Sequence, residues 1–144
     1  MEVDEATTTS ARFTEEGDCV ACLPGHTVSE KAIYAEFRST HGGATGEFGD
    51  NSRVLFKVVV DNHEPSKKAK PVLYLGVPHG SQFSSALTLC NRMFCKEQEQ
   101  QGAFLLDTGF GINPNKSAGG VFMKYGNELT FHTKVDFSRL AYAR

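Results

Sequence analysis

The sequence predicts an α+β fold in which one long helix crosses a mixed four-stranded sheet. Two dense runs of β-branched, aromatic and aliphatic residues, 54–60 and 71–77, predict antiparallel strands joined as a hairpin. The clearest helical period in the chain follows them, over residues 83–94. Two shorter strands are expected at 103–106 and 128–133. This order is that of a β-grasp, because it supplies one strong amphipathic helix, a short helical turn and no second long helix.

The long helix is predicted from the spacing of its apolar side chains. Ser81 precedes it and is a good N-cap candidate, because its hydroxyl can accept a backbone amide proton. Gly102, after a polar run, marks the end of the helical segment. The apolar positions fall at i, i+3, i+4, i+7, i+10 and i+11, which gives one face toward the sheet. They are Phe83, Ala86, Leu87, Cys90, Met93 and Phe94.

Residues 107–129 connect the last two predicted strands and are rich in glycine. Gly109 and Gly111 flank Phe110, a pattern that is typical of a tight turn. A short helical turn is expected to open around Ser117 and to end at Gly126.

The spacing in this segment excludes two nucleotide-binding loops. A phosphate-binding loop has glycine immediately before its Lys-Ser pair, where this chain has Asn115. A dinucleotide-binding loop has a third glycine where this chain has Pro114, and proline lacks an amide donor. The five histidines are dispersed, without the partners of a catalytic triad. The sequence therefore predicts neither an enzyme nor a cofactor.

Charge divides the chain into unequal parts. Residues 1–52 carry ten acids and three bases, a net charge of −7, whereas residues 53–144 carry twelve bases and seven acids, a net charge of +5. We therefore expect an acidic, flexible N-terminal extension (1–52), a ubiquitin-like β-grasp domain (53–137) and a C-terminal tail (138–144). The extension either lies over a basic face of the domain or is a solvated arm. Nucleic-acid binding is not predicted, because the basic residues are scattered.

Two patterns in the extension have more than one interpretation. Cys19 and Cys22 form a C-x-x-C pair with His26 nearby, but the second close pair of a tetrahedral zinc site is missing, so no metal is predicted. Residues 27–30 match a capping box, and the helix expected after them would dock on the domain, fold on a partner or fray. Its apolar side is expected to comprise Ile33, Tyr34 and Phe37.

A cytoplasmic and nuclear location is expected. The first residues are acidic and threonine-rich rather than a basic patch followed by an apolar run, which predicts no signal peptide. No apolar run approaches the roughly 20 residues that a membrane span requires. The four cysteines are accordingly expected to be thiols.

The domain resembles the ubiquitin-fold modifier family, a branch of the ubiquitin-like proteins. Residues 109–114 match the family's Gly-x-Gly-Ile-Asn-Pro turn, and residues 117–129 match the Ala-Gly, Val-Phe-Leu-Lys and Gly-Ser-Glu-Leu run that follows it. The ordered series at near-constant spacing is specific to the family. Supporting matches lie in the first two strands and on the helix: Phe56, Lys57, Val77, Pro78, Phe83, Leu87 and Phe94.

The resemblance implies a covalent protein tag. Family members are trimmed by a processing protease to an exposed glycine, activated there by an ATP-dependent enzyme, and passed by a conjugating enzyme and a ligase to lysines of target proteins. Aligned from Gly126, the family's terminal glycine falls at Ser138, and no glycine follows Gly126. The alternative is a non-conjugated, ubiquitin-like protein-binding module with a regulatory acidic arm.

The resemblance also implies an acceptor lysine and a partner surface. Lys124 matches the family's chain-forming lysine, although a solvated lysine at a helix end would look the same. The family's partner surface, the second strand with the adjoining helix, corresponds to Lys70, Val72, Leu73 and Leu75, where a partner would add a strand at the sheet edge. The alternative assigns Leu73 and Leu75 to the core.

Overall fold

The computed structural model describes residues 13–24, 28–41, 53–61, 70–95 and 101–143. They form three helices and one six-stranded mixed sheet. The α+β class predicted from the sequence is confirmed. The predicted number of elements, four strands and one long helix with a short helical turn, is wrong because the N-terminal extension adds two strands and a further helix.

The six strands form one sheet with a parallel centre. Their bounds are Thr14–Glu16 (β1), Cys19–Cys22 (β2), Arg53–Asp61 (β3), Val72–Pro78 (β4), Ala103–Leu105 (β5) and Glu128–His132 (β6). Across the sheet they lie in the order β1-β2-β4-β3-β6-β5. β3 and β6 are parallel, and the other pairs are antiparallel. The four strands expected from the sequence correspond to β3 to β6.

Three helices cover the two faces of the sheet: Glu30–His41 (α1), Ser84–Phe94 (α2) and Ala118–Tyr125 (α3). α2 and α3 pack on one face, called here the inner face, and α1 packs on the other, the outer face. Among the described residues, no helix is long and apolar enough to cross a membrane.

The main core lies between the inner face and the two helices α2 and α3. Alternate residues of β3 point into it because successive side chains of a strand face opposite sides. Aromatic rings form its centre: Phe56 and Phe83 lie 5.5 Å apart, and Phe83 and Phe104 lie 4.9 Å apart, measured between ring centroids. These rings are 0 to 2% exposed, so each buries nearly all of its large apolar surface.

α2 begins two residues later than the predicted cap at Ser81 indicates. Its N-cap is Phe83, which makes no side-chain capping bond. Ser81 is therefore not the N-cap, and its carbonyl instead accepts the amide proton of Ala118 at 2.7 Å. The predicted cap was wrong because Ser81 joins the start of α3 to the loop before α2, a contact that is distant in sequence.

The extension is not simply a flexible arm where the structure describes it. The extension was expected to be flexible apart from one short helix, but residues 14–22 form the β1–β2 hairpin, and α1 follows it. Of the alternatives for the helix, docking on the domain is the one observed. Ser29 accepts the amide proton of Ala32 at 3.1 Å and caps α1, while Thr27 and His26 lie outside the described residues.

Candidate partner-binding faces and conjugation sites

The edge of β4 that faces away from β3 is occupied by β2. Val20 pairs with Gly76, and Cys22 pairs with Tyr74, in antiparallel register. β1 pairs with the other side of β2, and all three of its residues are exposed. β2 thus occupies the middle of this edge of β4, from Tyr74 to Gly76. A partner that adds a strand to β4 must displace β2.

The apolar part of α1 fits a pocket on the outer face. Ile33 and Phe37, four residues apart on one side of the helix, are 1% and 0% exposed. Gly76 forms the floor of the pocket: a Cβ placed there would lie 2.4 Å from Cε1 of Phe37 and 2.8 Å from Cγ2 of Val20. The ring of Phe13 lies 5.6 Å from the Phe37 ring. The absence of a side chain at Gly76 is therefore what admits the Phe37 ring.

Polar contacts hold the start of α1 to the same face. Oε2 of Glu30 accepts a hydrogen bond from the hydroxyl of Tyr74 at 2.7 Å and lies 3.0 Å from Nζ of Lys57. One turn along, the hydroxyl of Tyr34 accepts a hydrogen bond from Nδ2 of Asn127 at 2.6 Å. The Tyr34 and Tyr74 rings meet edge to face, with centroids 6.0 Å apart. We call the triad Glu30, Tyr74 and Lys57 the carboxylate clasp.

Within the clasp, Glu30 and Lys57 form an ion pair at neutral pH, and Tyr74 is a neutral donor. The hydrogen bond from Tyr74, followed by that from Lys57, lowers the pKa of Glu30. The hydrogen bond to Glu30 raises the pKa of Lys57. Burial, with the neighbouring carboxylate, raises the pKa of Tyr74, which therefore stays a donor. Each shift favours the protonation state in which all three groups are partnered.

The residues predicted for the partner surface are separated by the fold. Leu73 and Leu75 are 0% exposed in the main core, so their assignment to a surface is wrong and the core alternative holds. Val72 is half-buried against the cluster of buried side chains on the outer face, called here the outer cluster. Lys70 is exposed, and its Nζ lies 3.3 Å from Oδ2 of Asp61. Successive side chains of a strand point to opposite faces of the sheet. Tyr74 and Gly76 face the outer side, so Leu73 and Leu75 point inward.

A cavity remains between the extension and α2. It has a volume of about 350 Å³ and is open to solvent. The turn at Gly17 and Asp18 forms one wall, and Ser84, Thr88 and Arg92 of α2 form the other. The cavity therefore lies between the β1–β2 turn and α2.

Lys124 lies at the exposed end of α3. Ser117 caps the start of this helix by accepting the amide proton of Gly120 at 3.0 Å, and Gly126 ends it with φ of 83°. Nζ of Lys124 lies 5.6 Å from the centroid of the Tyr125 ring. The neighbouring Met123 is 74% exposed. The geometry makes Lys124 accessible to an incoming protein.

The chain after β6 first runs along the surface and then returns to the domain. Ser138 is exposed in a turn, where its hydroxyl donates to Oδ1 of Asp136 at 2.6 Å. Beyond it, the amide of Gly111 donates to the carbonyl of Ala141, and the amide of Ala143 donates to the carbonyl of Gly111, both at 2.8 Å. Residues 141–143 are thus held to the turn between β5 and α3.

Cys19 and Cys22 do not converge on one site. Cys19 belongs to the main core and Cys22 to the outer cluster, so their side chains lie on opposite faces of the sheet. Burial raises the pKa of the Cys19 thiol to about 11. Within the described ranges no three or more His, Cys, Asp or Glu side chains are grouped as a metal site would require.

Comparison with known protein families matches residues 47–135 to the family of the ubiquitin fold modifier 1 protein. The match spans more than half of the 144 residues. The chain belongs to this family. The resemblance found in the sequence is confirmed. The ubiquitin fold modifier 1 family consists of ubiquitin-like modifiers, which serve as substrates of pathway enzymes and are not themselves enzymes.

The family match covers one part of the described structure and leaves out another. This ubiquitin fold modifier 1 family member has β3 to β6, α2 and α3 within the matched residues 47–135. The β1–β2 hairpin and α1 precede residue 47, and the segment bonded to Gly111 follows residue 135. The hairpin with α1, and the C-terminal segment at residues 141–143, therefore lie outside the part of the chain that matches the family.

The carboxylate clasp and the Gly76 pocket were missed by the sequence analysis. Ile33, Tyr34 and Phe37 were predicted to lie on one side of a short helix, and Glu30 was assigned to a capping box, but the residues on which they dock are distant in sequence. Nothing about Gly76 within a strand indicated whether it marks a bulge or a close approach by another element.

Proposed function

We propose that this chain acts as a ubiquitin-like modifier that is activated at a C-terminal carboxylate and attached to lysines of target proteins. The carboxylate attacks the α-phosphate of ATP and releases pyrophosphate. A cysteine thiolate of the activating enzyme then displaces AMP and forms a thioester. A conjugating enzyme and a ligase pass the acyl group to a lysine amine, which forms an isopeptide bond as the thiol leaves.

The observation that carries this proposal is an exposed segment directly after the family domain. Residues 136–139 are exposed and follow β6 without a further strand or helix. An activating enzyme needs such a segment, because the carboxylate must reach a narrow active site away from the folded domain. Ser138, the position matching the family's terminal glycine, lies within it. A processing protease that cuts after Ser138 would also free the domain from residues 141–143.

A thioester assay tests the activation step. The protein, ending at Arg144 or trimmed to end at residue 138, is incubated with the family's activating enzyme and ATP. The trimmed chain is expected to form a thiol-sensitive adduct that requires ATP. A trimmed chain with Ser138→Gly is the matched control, and we expect it to react faster because glycine gives the least hindered carboxylate.

The outcome that contradicts conjugation is equally specific. If neither trimmed chain forms an ATP-dependent adduct, although a conjugated member of the same family does so in parallel, the modifier function is excluded for this protein. Mass spectrometry of the C-terminus of the protein purified from its own cells would identify the residue at which processing occurs.

Lys124 is the acceptor that we propose for chains of the modifier. Its amine is exposed at the end of α3 and is not part of the main core. A Lys124→Arg variant is expected to be attached once to targets and to form no linked chains. If linked chains persist in this variant, another lysine is the acceptor. We expect this protein in the cytoplasm and the nucleus.

A second candidate function is a non-conjugated protein-binding module with a regulatory arm. The two backbone hydrogen bonds between residues 141–143 and Gly111 favour it, because they hold the end of the untrimmed chain against the domain. The pairing of β2 with β4 favours it as well, because the extension already occupies an edge that partners use. Absence of a thioester in the assay above, with retained partner binding, would select this function.

A further inference from the structure

The outer face of the sheet has the features of a binding site for one amphipathic helix. An apolar pocket with Gly76 at its floor lies next to Tyr74 and Lys57, whose donors meet at one carboxylate. Pocket and donors lie on adjacent strands, β3 and β4, within the family domain. α1 occupies this face, although it lies outside the residues that the family match covers.

The side chains that α1 uses define what the face accepts. Glu30 enters the clasp, Ile33 follows three residues later, and Phe37 follows four residues after that. Residues at this spacing fall on one side of two helical turns. The recognition pattern is thus a carboxylate, an aliphatic side chain and an aromatic ring along about 10 Å of helix, from a rise of 1.5 Å per residue.

We propose that the outer face is a docking site for an amphipathic helix of a partner protein, and that α1 occupies it as a competitor within the same chain. The partner helix presents a carboxylate, an aliphatic residue three positions later and an aromatic residue seven positions later. This site does not depend on the proposed conjugation, because it uses no group of the C-terminal tail.

Several features of α1 make it exchangeable. It has 12 residues, a length at which an isolated helix is marginal in water. The side chains of its ion pair, Glu30 and Lys57, are 47% and 27% exposed, so water competes for them. Residues 42–52 join α1 to β3, which makes its docking intramolecular and raises its effective concentration. A partner helix therefore has to bind more tightly than α1, or α1 has to be weakened first.

A peptide competition experiment on the full chain tests this proposal. The probe is a fluorescent synthetic peptide with the sequence of residues 28–41. The protein carries Ile33→Ala and Phe37→Ala together, which weakens its own α1 and leaves the outer face unchanged. We expect the peptide to bind this variant at least tenfold more tightly than the wild type, because the wild-type face is occupied.

Matched controls distinguish docking of the peptide on the outer face from non-specific binding. A peptide with alanine at both anchor positions is expected not to bind, and a Met123→Ala protein is expected to behave as wild type, because Met123 is exposed on α3. Adding Lys57→Ala to the double variant should weaken binding several-fold. A peptide with Glu30→Gln should lose a similar amount, and the two changes together should lose little more, because they remove the same contact.

The proposal is overturned if the folded double variant binds the peptide no better than wild type. If that variant does not fold, the wild-type chain with a protease site inserted within residues 42–52 takes its place. Cleavage ends the intramolecular advantage of α1, and we expect the cleaved protein to bind the peptide at least tenfold more tightly than the uncleaved protein. Equal affinity before and after cleavage also overturns the proposal.

Discussion

At the residue scale, Gly76 determines how the extension meets the domain. Its missing side chain lets the Phe37 ring approach β4 and lets Val20 pair beside it. Glycine weakens a strand through its backbone entropy, so its presence inside β4 needs a compensating contact. The Phe37 ring supplies that contact.

Gly76→Ala is expected to destabilise the protein by about 1–3 kcal/mol, because the added methyl group overlaps the Phe37 ring and must displace it. Gly80→Ala is the matched control, since a Cβ there meets nothing within 4 Å. Its effect should stay within about 0.5 kcal/mol. Urea unfolding of both variants measures the difference. Equal free energies of unfolding would show that Phe37 does not dock over Gly76.

Glu30 gives the molecule a predictable dependence on pH. The pKa of Glu30 is lowered in the folded state, so the carboxylate stabilises the fold above its unfolded pKa of about 4.3. That contribution is lost as the pH falls through the lower folded value. Because the Glu30 side chain is 47% exposed, the contribution is that of a largely exposed pair, about 0.2–1 kcal/mol.

Glu30→Gln should therefore lower stability at pH 7 and have a diminishing effect below about pH 4, where the wild-type carboxylate is also neutral. The free energies of unfolding of wild type and variant, measured between pH 3 and pH 7, test this sign. Glu15→Gln, on the exposed strand β1, serves as the control. A difference that grows as the pH falls would contradict the clasp.

Some single-residue roles followed from the sequence and others did not. The turn glycine Gly109 has φ of 92°, and Gly126 ends α3, as the pattern of glycines predicted. Met123 is apolar like the buried Val121 but is exposed, because an eight-residue helix buries only one side. Ser81 and Ser117 show the same limit, since of these two serines Ser117 caps a helix with its hydroxyl and Ser81 does not.

At the element scale, α3 depends on its cap. It has eight residues and two internal glycines, which lower its helix propensity. The hydroxyl of Ser117 satisfies the amide of Gly120, one of the unpaired donors at the start of a helix. α3 carries Lys124, so the cap also supports the proposed acceptor site.

Ser117→Ala is expected to cost about 0.5–2 kcal/mol of stability through the loss of this cap. Ser117→Asp retains an oxygen acceptor and should recover most of the loss. Thermal unfolding of the two variants against wild type tests the prediction. If alanine and aspartate destabilise the protein equally, the hydroxyl does not cap α3.

The elements of the family domain were predictable because each has a local signal. β3 and β4 are long apolar runs, and α2 has a regular apolar stripe. β1 and β2 have only three and four residues, and β2 is buried at every position, so neither shows alternation. The four residues of β2 were interpreted as a cysteine motif, because its strand character depends on pairing with β4.

At the scale of the whole molecule, both faces of the sheet are covered. α2 and α3 cover the inner face, as expected for a β-grasp, and α1 covers the outer face. The charge difference between the two parts of the chain is expressed in the described contacts as the Glu30–Lys57 ion pair. Sequence composition predicted this attraction as one of two alternatives but gave no position for it.

We infer that the β1–β2 hairpin and α1 form a separable cover on the edge of β4 and on the outer face of the ubiquitin fold modifier family domain. Hydrogen exchange of the full chain, wild type and Phe37→Ala, tests it most directly. We predict that Phe37→Ala accelerates exchange of the amides in α1 and of those that join β2 to β4. The exchange of the amides that join β3 to β6 should remain unchanged. Equal acceleration in β3 and β6 would contradict the claim, because it would make the extension part of one indivisible core.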